Sequence, residues 1–310
     1  MSTARPDRPA NFADRLIARV RELGHPLCLG LDPHLPLIPP LFRRGTMEAH
    51  DPATAAQVAQ FLCTVLDRYR GFVAAVKPQV AFFEQMGARG FAALEQVIAH
   101  ARSHDFLVVL DAKRGDINST AAAYAQCLRP ESPLRCDALT VNPYLGNDAL
   151  EPFAQAASEC GAGVFVLVKT SNQGAADLQD LECRGQRLFE RVASLLAPRS
   201  LAFRGASGWS SFGAVVGARY PEDAQRVREL LPHALFLVPG FGAQGADAHA
   251  ALAGFVAGPH GREGGIVNSS RALLFPSGSN TDNARAWEQA IDTARDRTIA
   301  ALHAAVQRIS

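Results

Sequence analysis

No pair of cysteines in this chain has the CxxC spacing of a redox or metal motif. The six cysteines, Cys28, Cys63, Cys127, Cys136, Cys160 and Cys183, are scattered. Several sit among aliphatics, where a thiol behaves as a small hydrophobe. A reducing cytoplasm is the expected setting. Charge of one sign is also missing: 31 Lys and Arg stand against 30 Asp and Glu, net +1, with no basic block. Nothing in that balance calls for nucleic acid. The opening MSTARPDRPANFADRL has no apolar core and no run reaches membrane-helix length, so no membrane association is expected. No GxGxxG follows the first strand and no GxxxxGK[ST] occurs anywhere, which argues against dinucleotide and P-loop enzymes. His100 and His104 have i, i+4 spacing, but there is no HExxH and the other seven histidines are dispersed. No metal is expected.

What the chain does contain is a rhythm. Eight β-rich apolar runs recur: PLCLGLD (26–32), GFVAAVKP (71–78), FLVVLDAKR (106–114), ALTVNPY (138–144), GVFVLVKT (163–170), FGAVVGA (212–218), ALFLVPGFG (234–242) and GGIVNSSR (264–271). Between them lie helical patterns such as TAAQVAQFLCTVLDRY, GFAALEQVIAHAR and DNARAWEQAIDTARDRTIAALHAAV. Strands so uniformly apolar are buried on both faces, as in a parallel sheet covered by helices. Eight β/α units in 310 residues predict a single (β/α)8 TIM barrel over 1–310, with no repeat or domain break. Two segments exceed what a barrel needs. The proline-rich 34–52 is expected as a loop over one rim, and 175–211 as a helix followed by a looser stretch.

In a barrel the active site lies at the C-terminal ends of the strands. There this sequence places Asp32, Lys77, Asp111 with Lys113, Asn142, Lys169 with Ser171, and Arg271. One charge at a strand end is usually a solvated loop, whereas charges at most of the ends converge on one mouth. Side chains alternate along a strand, so Asp111 and Lys113 point the same way. Asp116 follows at the turn, and Lys77 ends the preceding strand. The expected result is an alternating Lys–Asp–Lys–Asp network, with the lysines protonated and the aspartates ionised. A salt-bridge belt tying strands together would look the same by spacing. A second cluster, GFGAQGAD (240–247) and NSSRA (268–272), follows strands seven and eight, the recurrent phosphate site of this architecture. Glycines admit an anion to backbone N–H groups and Arg271 offers a fork.

These residues carry a specific resemblance. DAKRGDINST resembles the D-x-K-x-x-D-I-x-x-T signature of the orotidine 5′-phosphate decarboxylase family. VKPQVAFFE, DALTVNPYLG, VFVLVKTSN, VPGFGAQG and IVNSSR resemble its longer bacterial branch, type 2, in order from about Leu29 to Phe275. The resemblance implies decarboxylation of orotidine monophosphate to uridine monophosphate, without metal or organic cofactor. It implies a catalytic tetrad of Lys77, Asp111, Lys113 and Asp116, in a homodimer whose Asp116 and Thr120 serve the partner's site. Lys113 would protonate the pyrimidine carbon, and Asp111 would lie against the departing carboxylate. Asp32 and Thr120 match ribose contacts, Ser171 a pyrimidine contact, and Gln244 and Arg271 phosphate contacts. The chain departs from the family pattern at Gln173, Arg219 and Ala246, none in the tetrad.

Three rivals have distinguishable chemistry. Magnesium-dependent sugar-phosphate lyases of the same superfamily lack the first lysine, so Lys77 argues against them. A class I aldolase would use Lys113 or Lys169 as a Schiff base, which requires a neutral amine. A nucleotide-binding protein that kept the fold without activity would have no use for the tetrad.

Overall fold

The eight apolar runs become eight parallel strands. In the computed structural model, which describes residues 10–242 and 247–308, they are β1 (Leu27–Leu31), β2 (Ala75–Pro78), β3 (Val109–Arg114), β4 (Ala138–Val141), β5 (Gly163–Lys169), β6 (Ser210–Val216), β7 (Ala234–Val238) and β8 (Gly265–Ser269). They join in the order β2-β1-β8-β7-β6-β5-β4-β3. The bridges Val76↔Val108 and Gln79↔Asp111 bring β2 against β3 and close the barrel. Apart from the last three residues of β3 and a single position in β5, every residue of these eight strands is buried. Both faces of the sheet are therefore covered, the reason the strands read as unbroken apolar runs rather than alternating ones.

Two buried clusters divide the work. The larger lies between sheet and helices, where Phe61, Phe83, Phe153, Phe189 and Trp287 are fully packed. The smaller fills the barrel's interior, from Cys28, Ala75, Val109, Ala138 and Phe165 inward to Phe12, Leu16 and Ile17. These last belong to a helix, Phe12–Leu23, that plugs the N-terminal end of the barrel. Asn11 caps it by accepting the Ala13 amide, and the left-handed Gly24 ends it. This helix is an addition to the eight strands and the helices that cover them. Its apolar positions 12, 16, 17 and 20 repeat at helical spacing.

The segment 34–52 forms two 3-10 turns, Leu35–Leu37 and Pro40–Phe42. It is anchored by Phe42, edge-on to Phe61 at 5.2 Å and to Trp287 at 4.9 Å between ring centroids. Segment 175–211 contains a hairpin pairing Glu182–Cys183 with Gln186–Arg187, then the helix Leu188–Ala202. Among the described residues, no helix is long and apolar enough to cross a membrane. All six cysteines are free thiols.

Candidate active site

At the C-terminal mouth of the barrel lies a cavity of about 660 Å³, lined from the sequence-predicted set by Asp32, Lys77, Asp111, Lys113, Ser171 and Arg271. Its centre is Asp111, buried at 6% exposure. One carboxylate oxygen accepts from Lys77 Nζ at 2.7 Å and from Gln79 Nε2 at 3.0 Å. The other accepts from Lys113 Nζ at 2.6 Å and from Thr140 Oγ1 at 2.9 Å. Burial opposes the charge on Asp111, but the ammonium groups of Lys77 and Lys113 outweigh it and hold its carboxyl well below the usual range. Burial likewise opposes the charge on Lys77, and Asp111 and Asp32 more than restore it, lifting its pKa above that of a free lysine. The thiol of Cys28, on the interior side of the same group, is pushed up to about 12 by burial and stays neutral.

The two lysines are not equivalent. The Lys77 side chain is 5% exposed and that of Lys113 44%. One is a buried strut, and the other reaches into open cavity. Local backbone makes this possible. Lys113 has φ 48°, a left-handed conformation uncommon for a residue with a Cβ. The β3–β4 register shifts between Leu110 and Arg114, and the Lys113 amide donates to Thr140 Oγ1 at 2.9 Å instead of to the ladder. Thr140 thus holds both the carboxylate and the turned backbone beneath Lys113.

Around this centre two buried acceptors lack a hydrogen-bond partner, Asp32 Oδ1 and Asn268 Oδ1, and both residues line the cavity. The nearest charge to Asp32 Oδ1 is Lys77 Nζ at 3.9 Å. Acceptors in such positions suit the hydroxyls of a ligand. Ser171 is buried at 8% beneath Gly217, where a Cβ would stand only 2.7 Å from the Ser171 amide nitrogen. On the far side Gly240, at φ 99°, and Phe241 meet Ser270 and Arg271. His34 closes that rim, its pKa lowered by burial and then by the charge of Arg271.

Four of the expected residues lie outside this lining. Asp116 does not join the network of its own chain: it stands outside the cavity lining, and its Oδ1 accepts the amide of Ile117. Thr120 is exposed and also outside the lining. Asn142 turns away, its side chain accepting the Tyr144 amide. Lys169 is fully buried but outside the mouth, paired with Asp180 and with Asp223 at 3.2 Å, over the rings of Phe189 and Tyr220. The β5–β6 register shifts between Leu167 and Lys169, so Leu167 lines the cavity while Lys169 points into the surrounding layer. That placement removes Lys169 as a Schiff-base candidate. Gln244 and Ala246 lie outside the described residues.

Gln79, Thr140, Asn268 and His34 were not singled out from the sequence. Each is a polar residue at or near a strand end, and Gln79, Thr140 and Asn268 lie inside the motifs VKPQVAFFE, DALTVNPYLG and IVNSSR, which carry no role for them by spacing alone.

Comparison with known proteins agrees with this geometry. Residues 25–277 match the family described as "Orotidine 5'-phosphate decarboxylase / HUMPS family". The chain is 44% identical over 269 residues to an orotidine 5′-phosphate decarboxylase of Rhodopirellula baltica, covering 85% of this chain and 88% of that one. It is 43% identical over 275 residues to one of Deinococcus radiodurans, covering 88% and 93%. The solved structure of Leishmania donovani OMP decarboxylase superposes with a TM-score of 0.73 at 34% identity, covering 95% of this chain and 98% of that one.

Proposed function

The chain belongs to the orotidine 5′-phosphate decarboxylase / HUMPS family, and from that premise we propose how the cavity works. The protein is a carboxy-lyase that converts orotidine monophosphate to uridine monophosphate and carbon dioxide, a step of pyrimidine synthesis, using neither metal nor organic cofactor. The observation that carries this reading is the single carboxylate of Asp111 shared between a buried ammonium and one standing in the cavity.

When the bond from the pyrimidine ring to its carboxylate breaks, the electron pair stays on ring carbon C6, where no ring system absorbs it. Charge of that kind is stabilised by a group already in place in a water-poor pocket. Lys113 supplies it as an ammonium and then gives its proton to the carbon. Asp111 lies against the departing carboxylate and fixes Lys113. We assign the larger share to Lys113, which acts where charge develops, rather than to repulsion by Asp111. Lys77 holds the network and contacts ribose, as does Asp32 through its unpartnered oxygen. Ser171 reads the pyrimidine, and Arg271 with Gln244 holds the phosphate, whose binding energy is expressed in the transition state. The presence of Lys77 separates this reading from a sugar-phosphate lyase.

The unit is a cytoplasmic homodimer, with Asp116 and Thr120 completing the partner's site. Their position outside their own cavity supports this, as does the exposure of the apolar neighbours Ile117 (50%) and Tyr124 (39%). To test the reading, purified protein is mixed with EDTA and orotidine monophosphate, and the ultraviolet change on loss of the carboxylate is followed. Turnover by wild type and none by Lys113→Ala is the expected outcome. Silence of the wild type with ligand still bound would overturn it.

A further inference from the structure

At the far end of the barrel from the cavity, two helices finish side by side. Thr54–Tyr69 leads toward β2 and Gly87–Ser103 toward β3, so their C-terminal ends flank the N-terminal ends of those strands. Asp67 stands in the last turn of the first, and His100 and His104 lie one turn apart at the end of the second. His100 Nε2 lies 2.7 Å from Asp67 Oδ1, and His104 Nε2 lies 3.4 Å from the same oxygen. The imidazoles stack with centroids 4.5 Å apart and 28° between planes. The three ligand atoms fall within 4.8 Å of one another.

We propose that Asp67, His100 and His104 form a binding site for a divalent transition-metal ion, zinc in the first instance, that clips the two helix ends together and takes no part in the reaction. Three observations carry it. First, His104 Nδ1 faces the carbonyl oxygen of His100 at 3.1 Å. The Ser103 hydroxyl, 3.0 Å from the same Nδ1, itself donates to that carbonyl at 2.8 Å, so Nδ1 is the donor here and Nε2 is left as the ring nitrogen available to a ligand. That is the second-shell bond by which proteins fix a metal-ligating tautomer. Second, His104 Nε2 lies within 3.4 Å of the same carboxylate oxygen to which His100 Nε2 is hydrogen-bonded. Two ring nitrogens and a carboxylate oxygen converging on one point are stabilised by a cation between them. Third, ligands at about 2.0–2.2 Å from a metal are separated along the polyhedron edge by roughly 2.8–3.5 Å, close to the two imidazole–carboxylate spacings of 2.7 and 3.4 Å.

Two imidazoles and one carboxylate select zinc, cobalt or nickel over magnesium and calcium, which prefer oxygen. Side-chain exposures of 27% for His100, 24% for His104 and 52% for Asp67 leave the group reachable from solvent, with a coordination position for water. An ion bound to the native state alone would add stability, about 4 °C in Tm for a chain of this length at a hundredfold excess over Kd.

The test uses untagged protein, metal-stripped with EDTA and then desalted. Zinc is titrated by calorimetry, cobalt by its visible absorption, and thermal unfolding is followed with each and with magnesium. One zinc per chain, a cobalt band of a nitrogen-coordinated ion, and a Tm rise absent with magnesium are expected. Both His100→Gln and His104→Gln should weaken zinc at least about tenfold while leaving decarboxylation intact. Metal-free Tm and circular dichroism show whether each variant is folded, and Asp67→Asn serves as a third probe should one fail. Zinc binding that both folded histidine variants retain would overturn the proposal. So would no stoichiometric binding at about 0.1 mM zinc, which would leave these residues as a simple ion pair.

Discussion

Lys77 and Lys113 touch the same carboxylate at nearly the same distance, 2.7 and 2.6 Å, yet their removal should weigh differently on stability. Lys77→Met takes an ammonium that is 5% exposed from a carboxylate that is 9% exposed. Breaking a buried pair in this way costs about 3–5 kcal/mol, because the remaining charge is left under-compensated. With an unfolding entropy of about 2.1 cal/mol/K per residue, a chain of this length loses roughly 5–8 °C in Tm. Lys113 is 44% exposed, so its pair contributes at most about 1 kcal/mol, under roughly 2 °C. On the rate, Lys113 acts directly. Loss of a positioned proton donor costs about 10²–10⁴-fold and loss of preorganised charge a further 10²–10³-fold, so Lys113→Ala should lower kcat by about 10⁴-fold or more. Thermal unfolding and the ultraviolet decarboxylation assay, run on both variants, read the two axes. If Lys113→Ala unfolded as early as Lys77→Met and kept activity within about tenfold, the cluster would be a structural belt and the mechanism wrong.

Three further perturbations probe the supports of the site. Gly217→Ala would bring a Cβ to 2.7 Å from the Ser171 backbone, so Ser171 must move. KM should rise about tenfold, the worth of one hydrogen bond, with kcat little changed in steady-state assays. Lys169→Met would strand Asp180 and leave Asp223 with Arg187 as its one cation, beside a buried apolar group. A loss of about 3 kcal/mol in denaturant midpoints is expected, together with a raised KM, because Gln179, next to Asp180, holds the Thr170 amide at 2.9 Å beside Ser171. His25 is buried, and burial followed by nearby His303 lowers its pKa from 6.5 to about 4. Between those values the unfolded chain binds the proton and the folded chain does not. Stability is therefore full above 6.5 and falls as pH drops toward 4, by up to about 3 kcal/mol. In His25→Gln the slope of Tm against pH over that window should be shallower, and an unchanged slope would refute the assignment.

Much of the architecture was legible in the chain. Strands buried on both faces must be apolar throughout, so eight such runs announced a helix-covered parallel barrel. Length and order left little else for them to form. The convergence of Lys77, Asp111 and Lys113 followed from the same rule, because charges at the C-terminal ends of barrel strands share one mouth. The helix Phe12–Leu23 was present as spacing but masked by a polar opening.

The side on which a strand-end residue falls was settled only by tertiary structure. Alternation assigns Lys169 to the same face as Leu167, yet a register shift between them sends one into the layer outside and leaves the other in the cavity. Asp111 and Lys113 meet as alternation predicts, but through a left-handed Lys113 fastened by Thr140 from the next strand. Parity is a local property, carried by the sequence itself. A bulge is fixed by the register of two strands, and the partner that stabilises it lies far away in the chain. The sequence by itself therefore determined which charges belong to the mouth's neighbourhood, and the packed barrel decided which of them face it.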